Sequence, residues 1–182
     1  MRPDRHSWAM AMAVVTAQRA TCIRRKVGAV LLNGRGHVLA TGYNGVASGQ
    51  PHCNELVPTA WFPIMAPPDI MQKHPDFGKF HHAHACSGAS APSGTNLDGC
   101  QSIHAEQNAL LQCKDVYSID TAYVTASPCM TCTKLLLNTS CQTIVFLEEY
   151  PHSEAKALWE GSGRKWVKLD FKYTFAADGS AL

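Results

Sequence analysis

Residues 103–106 read Ile-His-Ala-Glu, and residues 127–132 read Ser-Pro-Cys-Met-Thr-Cys. Together, His104, Cys129 and Cys132 offer one imidazole and two thiols, which is a set of three zinc ligands. Catalytic zinc sites usually keep three protein ligands and leave the fourth position to water. The two stretches therefore predict a catalytic zinc centre around which the rest of the chain is arranged.

A carboxylate accompanies the predicted ligands. Glu106 follows His104 by two residues, close to the metal but not needed as a ligand. Zinc lowers the pKa of bound water to about 7, and a nearby carboxylate can then carry its proton to a leaving amine. A Cys-x-x-Cys alone would also fit a redox pair or half of a structural zinc ribbon. His-x-Glu followed by Pro-Cys-x-x-Cys is the known signature of zinc-dependent nucleobase deaminases, so Glu106 is the predicted catalytic residue.

Helix-start signals place both stretches at helix N-termini. Ser127 and Pro128 predict an N-cap and a first helical residue, so Cys129 and Cys132 would share one face of the helix that follows. Residues 105–112 are rich in Ala and Leu and predict a second helix. The positive ends of two helix dipoles would then face one metal and favour thiolate.

Composition excludes several classes of protein. The chain of 182 residues has 46% hydrophobic residues and balances 16 Lys and Arg against 14 Asp and Glu, which argues against a strongly electrostatic nucleic-acid binder. No apolar run approaches the ~20 residues of a membrane span, and the first residues lack a signal-peptide core. Eight cysteines then favour metal ligation over disulfides and a cytoplasmic location. Cys113 and Cys141 are expected to be core thiols.

The periodic segments predict an α/β fold. Trp8, Met12 and Val15 recur at i, i+4 and i+7 and predict the buried stripe of a first helix over 7–20. A Gly-Arg-Gly turn between two β-rich runs predicts a hairpin over 27–41. The later predicted elements are strands at 121–126, 143–147 and 165–171 and a helix at 154–160. This order predicts one mixed sheet with helices on both faces and a ligand cleft at the strand ends.

A long insertion over about 46–100 interrupts the pattern within what we expect to be a single domain, residues 1–182. A structureless loop of this length is unusual in a compact domain, so something should tie it down. Four cysteines could do so through a closed structural zinc site: Cys22, Cys53, Cys86 and Cys100. His52 or His84 could replace one of them. Alternatively, the four are ordinary buried residues or free thiols.

Candidate substrate contacts lie in loops beside the predicted cleft. Asn44 stands between glycines in residues 42–45, where it is either a left-handed turn residue or an amide that binds a sugar or base. Charge and position suggest four side chains that could reach a 5′-phosphate: Arg24, Lys26, Tyr150 and His152.

Over about residues 6–150 the chain resembles the deoxycytidylate (dCMP) deaminase family of the cytidine deaminase superfamily. The motifs that carry the resemblance lie at residues 25–30, 42–45, 92–100, 104–109 and 128–132. The resemblance implies a three-layer α/β/α fold, a catalytic zinc and hydrolysis of dCMP to dUMP and ammonia, which supplies thymidylate synthesis. It also implies that Asn44 contacts the nucleotide sugar and that Thr125, Ala126 and Ser127 line the base pocket.

Regulation and assembly follow only from the resemblance. Many members are homo-hexamers, activated by dCTP and inhibited by dTTP, and some hold a second zinc. Three alternative functions stay open from the residues: a deaminase of C5-modified dCMP, a deaminase of a polynucleotide such as tRNA, and a zinc-stabilised binding module without turnover. The binding module would have no need of Glu106.

Overall fold

The computed structural model describes residues 2–58, 82–84, 86, 88, 91–92, 100–150 and 153–171. The chain forms two compact units. The first comprises Met1–Ala20, Lys26–Asn44 and His104–Leu182, and the second comprises Thr21–Arg25 and Gly45–Ile103. Among the described residues, no helix combines the length and the apolar character that a membrane crossing requires.

Five strands form the mixed sheet at the centre of the first unit. In chain order the strands of the described residues are β1 Gly28–Asn33, β2 Val38–Tyr43, β3 Leu56–Pro58, β4 His82–His84, β5 Ile119–Ala126, β6 Thr143–Glu148 and β7 Lys165–Lys168. Two of these strands, β3 and β4, lie outside this sheet. The sheet order is β2-β1-β5-β6-β7. β1 pairs antiparallel with β2 and β5, whereas β6 pairs parallel with β5 and β7. The predicted hairpin and mixed sheet are therefore confirmed.

Helices cover both faces of this sheet. They are α1 Arg5–Ala17, α2 Ala105–Gln112, α3 Met130–Leu137 and α4 Ser153–Gly161, and a short 3-10 turn, Val116–Ser118, leads into β5. On one face α1 packs through Ala9, Met10 and Ala13 on Val30, Leu32, Tyr123 and Val145. On the other face Ala105, Ala109, Leu136 and Trp159 of the remaining helices pack on Ala29, Leu31, Val124, Ile144 and Phe146. The predicted three-layer α/β/α fold is confirmed.

The buried face of α1 differs from the predicted one. Trp8 and Val15 are 39% and 47% exposed, and the fully buried positions include Ala9 and Ala13. A Cβ on Gly28 of β1 would collide with the backbone of Ala13, so helix and strand approach too closely for large side chains. Of the predicted stripe only Met12 packs against this core, beside the fully buried Met10, and at Ala13 the close approach leaves room only for a small side chain.

The start of α3 also differs from the prediction. Cys129, with extended dihedrals of φ −71° and ψ 171°, is the N-cap, so the helix begins two residues later than Ser127 and Pro128 indicated. The hydroxyl of Ser127 has another partner, because it accepts a hydrogen bond of 2.7 Å from the backbone N–H of Tyr150. That contact joins the ends of β5 and β6, and it removes Ser127 from capping.

The second unit contains a two-stranded antiparallel pairing of β3 with β4, in which Leu56 lies opposite His84. No strand was predicted in this insertion, so the pairing corrects the prediction. Its two ends also meet, since Gly45 and Ile103 exchange backbone hydrogen bonds of 3.1 and 2.9 Å. Most of residues 59–99 lie outside the part that the structure describes.

Gly42 sets the distance between β2 and α2. A Cβ at this position would collide with the carbonyl oxygen of Ala105 and the amide nitrogen of Ala109. The side-chain amide of Asn108 also donates a hydrogen bond of 2.8 Å to the Tyr43 carbonyl, which ties the helix to the end of β2. The first turn of α2 is therefore fixed against the sheet.

We expect Gly42→Ala to destabilise the protein by about 1–3 kcal/mol, because an added methyl group overpacks a backbone contact that cannot relax cheaply. Gly161→Ala is the matched control, since a Cβ there meets nothing within 4 Å. Urea unfolding of both variants with zinc present measures the difference. Equal stability of the two variants would contradict the close approach.

Candidate metal centre

The three predicted ligands lie together. Nδ1 of His104 is 3.5 Å from Sγ of Cys129 and 3.4 Å from Sγ of Cys132, and the three ligand atoms all lie within 4.8 Å of one another. A tetrahedral zinc with ordinary bond lengths separates a ring nitrogen from a sulfur by about 3.6 Å. The donor set and its spacing therefore fit zinc, and the predicted catalytic metal centre is confirmed.

Two helix N-termini supply these ligands. His104 is the N-cap of α2, and its backbone N–H donates a hydrogen bond of 2.8 Å to Oε1 of Gln107. Cys129 is the N-cap of α3, and Cys132 lies one turn into the same helix. Both helices therefore direct their positive ends at the sulfurs, which favours thiolate and hence metal binding.

The two thiols differ in acidity. A hydrogen bond from the Cys132 thiol lowers the pKa of Cys129 to about 4, and the His104 ring acts in the same direction. The same bond, together with burial, raises the pKa of Cys132. Cys129 is therefore the first of the pair to ionise.

Glu106 lies beside the ligands in the first turn of α2. Its side chain is buried, with only 4% of the residue exposed. Burial raises the pKa of Glu106 to about 7, although the nearby His104 opposes this rise. A carboxyl group whose pKa lies close to the working pH can both accept and release a proton. The environment of Glu106 therefore suits a proton carrier.

Asn44 is buried at the end of β2, and its amide oxygen has a structural partner. Oδ1 accepts a hydrogen bond of 2.7 Å from the Val27 N–H, while the Asn44 N–H donates one of 3.2 Å to the Val27 carbonyl. The side chain thus closes the open end of the β1–β2 hairpin. This structural role differs from the predicted left-handed turn residue, and the contact of Asn44 with a sugar stays a prediction.

A cavity of about 290 Å³ brings together three of the predicted substrate residues. Lys26, Thr125 and Ala126 line it, together with Val14, Ala17, Leu147, Glu148 and Phe171. The α1 residues among them place the cavity on the α1 face of the sheet, at the carboxyl ends of β5 and β6. Lys26 therefore brings a positive charge to the strand ends where a ligand cleft was predicted.

The positions of the remaining predicted substrate contacts say less about their roles. Ser127 is buried and bonds to Tyr150, so these two residues are neighbours at the end of β6. Arg24 belongs to the second unit, where its guanidinium donates a hydrogen bond of 2.6 Å to the Pro92 carbonyl. His152 lies outside the described residues. The sequence reasoning missed Asn108, whose only signal was its place in the His-Ala-Glu-Gln-Asn run.

Pairwise contacts link the four cysteines of the second unit. Cys86 Sγ lies 3.8 Å from Cys100 Sγ, which is close to the sulfur separation of about 3.8 Å around a tetrahedral zinc and far beyond a disulfide bond of about 2.05 Å. Cys100 also bonds to Cys22, whose pKa this contact lowers to about 5. Burial raises the pKa of Cys53 to about 12, and this thiol contacts Cys86.

The remaining two cysteines lie away from both clusters. Cys141 is fully buried in the core, as predicted, and its thiol donates to the Thr143 carbonyl. Cys113 is partly buried at the end of α2 and donates to the Asp115 carbonyl. Cys113 therefore serves as a reference thiol for experiments on the metal centre.

We expect Cys132→Ala to lose one zinc ion per chain, because two ligands cannot hold the metal that three hold. Elemental analysis of the purified protein measures the content. Cys113→Ala removes a thiol without touching the ligands and should keep the metal content of the parent. Unchanged zinc in Cys132→Ala would contradict the proposed ligand set.

Comparisons with known proteins agree with this geometry. Residues 3–148 match the family model for the cytidine and deoxycytidylate deaminase zinc-binding region. A deoxycytidylate deaminase of Mycobacterium phage D29 is 32% identical over 150 residues, covering 81% of this chain and 98% of that protein. One from Schizosaccharomyces pombe is 32% identical over 151 residues, covering 82% of this chain. The chain spans only 38% of the length of that relative.

A solved structure has the same fold. The dCMP deaminase of cyanophage S-TIM5, crystallised with dCMP and dUMP, superposes with a TM-score of 0.62 at 26% identity. The superposition covers 93% of this chain and 99% of the phage protein. With a family model that matches most of its length and zinc ligands in the expected geometry, the chain belongs to the cytidine and deoxycytidylate deaminase family of zinc-binding proteins.

Proposed function

We propose that this protein is a dCMP deaminase, which hydrolyses dCMP to dUMP and ammonia. The observation that carries the proposal is the buried Glu106 beside the group formed by His104, Cys129 and Cys132. The relatives from phage D29 and S. pombe bear the name deoxycytidylate deaminase, and the cyanophage protein was crystallised with dCMP and dUMP.

The proposed chemistry divides between the metal and Glu106. Zinc held by His104, Cys129 and Cys132 would activate the water that attacks C4 of cytosine. Glu106 takes a proton from this water and protonates N3 of the ring, and it then takes the remaining proton of the added hydroxyl and delivers it to the leaving amino group. The oxygen of water becomes the O4 carbonyl of uracil, and the amine leaves as ammonia.

We propose that the substrate lies along the ends of β5 and β2. Thr125, Ala126 and Ser127 would line the base pocket, and Asn44, which is buried at the end of β2, would contact the sugar. Lys26 and Tyr150, with Arg24, would bind the 5′-phosphate. The support for Lys26 is its positive charge at the strand ends, since the cavity that it borders with Thr125 and Ala126 lies on the α1 face, opposite the face on which α2 and α3 pack.

We also propose a second, structural zinc in the insertion. The supporting observations are the sulfur spacing of 3.8 Å between Cys86 and Cys100 and the contacts that link these thiols to Cys22 and Cys53. Elemental analysis of the parent should then give two zinc ions per chain. A content of one ion would exclude this site.

Assembly, regulation and location are proposed mainly from the family resemblance. We expect a homo-oligomer, a hexamer in particular, with dCTP as activator and dTTP as inhibitor, and a single deaminase domain over residues 1–182. We place the protein in the cytoplasm, since all eight of its cysteines are free thiols, which suits a reducing compartment. Light scattering on the purified protein tests the assembly, and assays with each nucleotide test the effectors.

A substrate panel tests the proposed function. We expect dCMP to give a higher kcat/KM than CMP, cytidine, 5-methyl-dCMP or a single-stranded oligonucleotide, measured by ammonia release at matched concentrations. A preference for the 5-methylated nucleotide would indicate the C5-modified alternative. A preference for the oligonucleotide, falling steeply with salt, would indicate a polynucleotide deaminase. Inertness on every substrate in the panel would favour the binding module.

We expect Glu106→Gln to lower kcat on dCMP by about 10²–10⁴-fold, because the amide cannot carry a proton. Zinc content and thermal stability should stay close to those of the parent, since the amide has almost the same shape. Glu160→Gln, at an exposed position of α4, is the matched control and should turn over normally. Parent-like turnover in Glu106→Gln would overturn the proposed proton carrier.

A further inference from the structure

At the end of α3 that lies away from the zinc ligands, one arginine binds three backbone carbonyls, and the N–H and hydroxyl of Thr139 also bind the Leu136 carbonyl. Nη1 of Arg164 donates a hydrogen bond of 3.2 Å to the Leu136 carbonyl. Nη2 donates to the carbonyls of Leu137 and Thr139 at 3.0 and 3.2 Å. Carbonyls in the last turn of a helix have no partner within the helix. Arg164 supplies such partners from outside, with a positive charge at the negative end of the helix dipole.

Arg164 is itself fixed from two sides. Its guanidinium carbon lies 5.1 Å from the ring centroid of Trp159, a fully buried residue of α4. The indole N–H of Trp159 donates a hydrogen bond of 2.9 Å to the Lys165 carbonyl, and the Lys165 N–H donates one of 3.0 Å to Gln142 at the start of β6. The guanidinium therefore projects from a point tied to both α4 and the sheet.

The other end of α3 carries two of the three zinc ligands. The helix has only 8 residues, so it is about 12 Å long, and a tilt at one end displaces the other. Metal sites accept deviations of only about 0.2 Å from ideal bond lengths. The positions of Cys129 and Cys132 relative to His104 thus depend on how firmly the far end of the helix is held.

We propose that Arg164 is a positioning residue for the metal centre. By binding the last carbonyls of α3, it fixes the axis of the helix and holds the two sulfurs at the spacing that His104 requires. This role in zinc binding does not depend on which cytosine nucleotide the protein accepts. A negative substrate panel would therefore not contradict it, and a negative result for Arg164 would not contradict the proposed substrate.

The test compares Arg164→Met with Lys134→Met. Methionine keeps an unbranched apolar side chain beside Trp159 but removes the guanidinium and its three hydrogen bonds. Lys134 also lies in the last turn of α3 but is exposed, so its replacement removes the same charge from the same helix end. Zinc affinity is measured by competition with a chromophoric chelator, and Cys132→Ala identifies which ion belongs to the His104 centre.

We expect Arg164→Met to weaken zinc binding at this centre by about 10–100-fold, as is usual when a residue that orients ligands is lost. Lys134→Met should bind zinc like the parent. The cobalt-substituted Arg164→Met protein should also show altered thiolate-to-metal absorption, because the sulfurs are displaced. A role confined to overall stability would lower the melting temperature and leave both the affinity and the absorption unchanged.

Parent-like zinc affinity and cobalt absorption in Arg164→Met would overturn the proposal, as would an equal loss of affinity in Lys134→Met. If Arg164→Met does not fold, Arg164→Lys decides the question. Lysine keeps the charge but cannot reach three carbonyls in one plane, so we expect an affinity between those of the parent and Cys132→Ala. An Arg164→Lys protein that binds zinc like the parent would equally overturn the proposal.

Discussion

The convergence of two helix N-termini on one point is the constraint on which the rest of the first unit depends. His104 begins α2 and Cys129 begins α3, and a separation of 3.5 Å between their ligand atoms leaves little freedom to either helix. The sheet meets this demand by approaching α2 closely at Gly42. The opposite end of α3 is held by the guanidinium of Arg164. Each helix is thus fixed by a contact outside the metal centre itself.

Much of the metal centre could be predicted because two of its ligands lie close together in the sequence. Two cysteines three residues apart on one helix lie on the same face whatever the tertiary structure, and a helix start directs them outward. The pairing of Cys129 and Cys132 with His104 follows from the known His-x-Glu signature. The mixed sheet with helices on both faces could also be predicted, since the sequence separates strands and helices by clear changes in period.

The errors arose where tertiary contacts outweigh local preference. Ser127 is a good capping residue in isolation, but its hydroxyl binds the chain that leaves β6, and Cys129 caps α3 instead. Asn44 carries no local sign that its amide oxygen joins two strands. Arg164 stands 28 residues from the carbonyl of Leu136 that it binds, and no spacing rule connects such distant positions.

The alanine face of α1 constrains how this protein can change over evolutionary time. Ala9 and Ala13 are fully buried against the sheet, while Trp8 and Val15 face outward. A longer side chain in place of Ala9 or Ala13 would have to lift the helix, whereas the exposed positions can change without disturbing the core. Substitutions along this helix should therefore be unevenly distributed, with the bulky exposed residues exchanged freely and the small buried alanines retained.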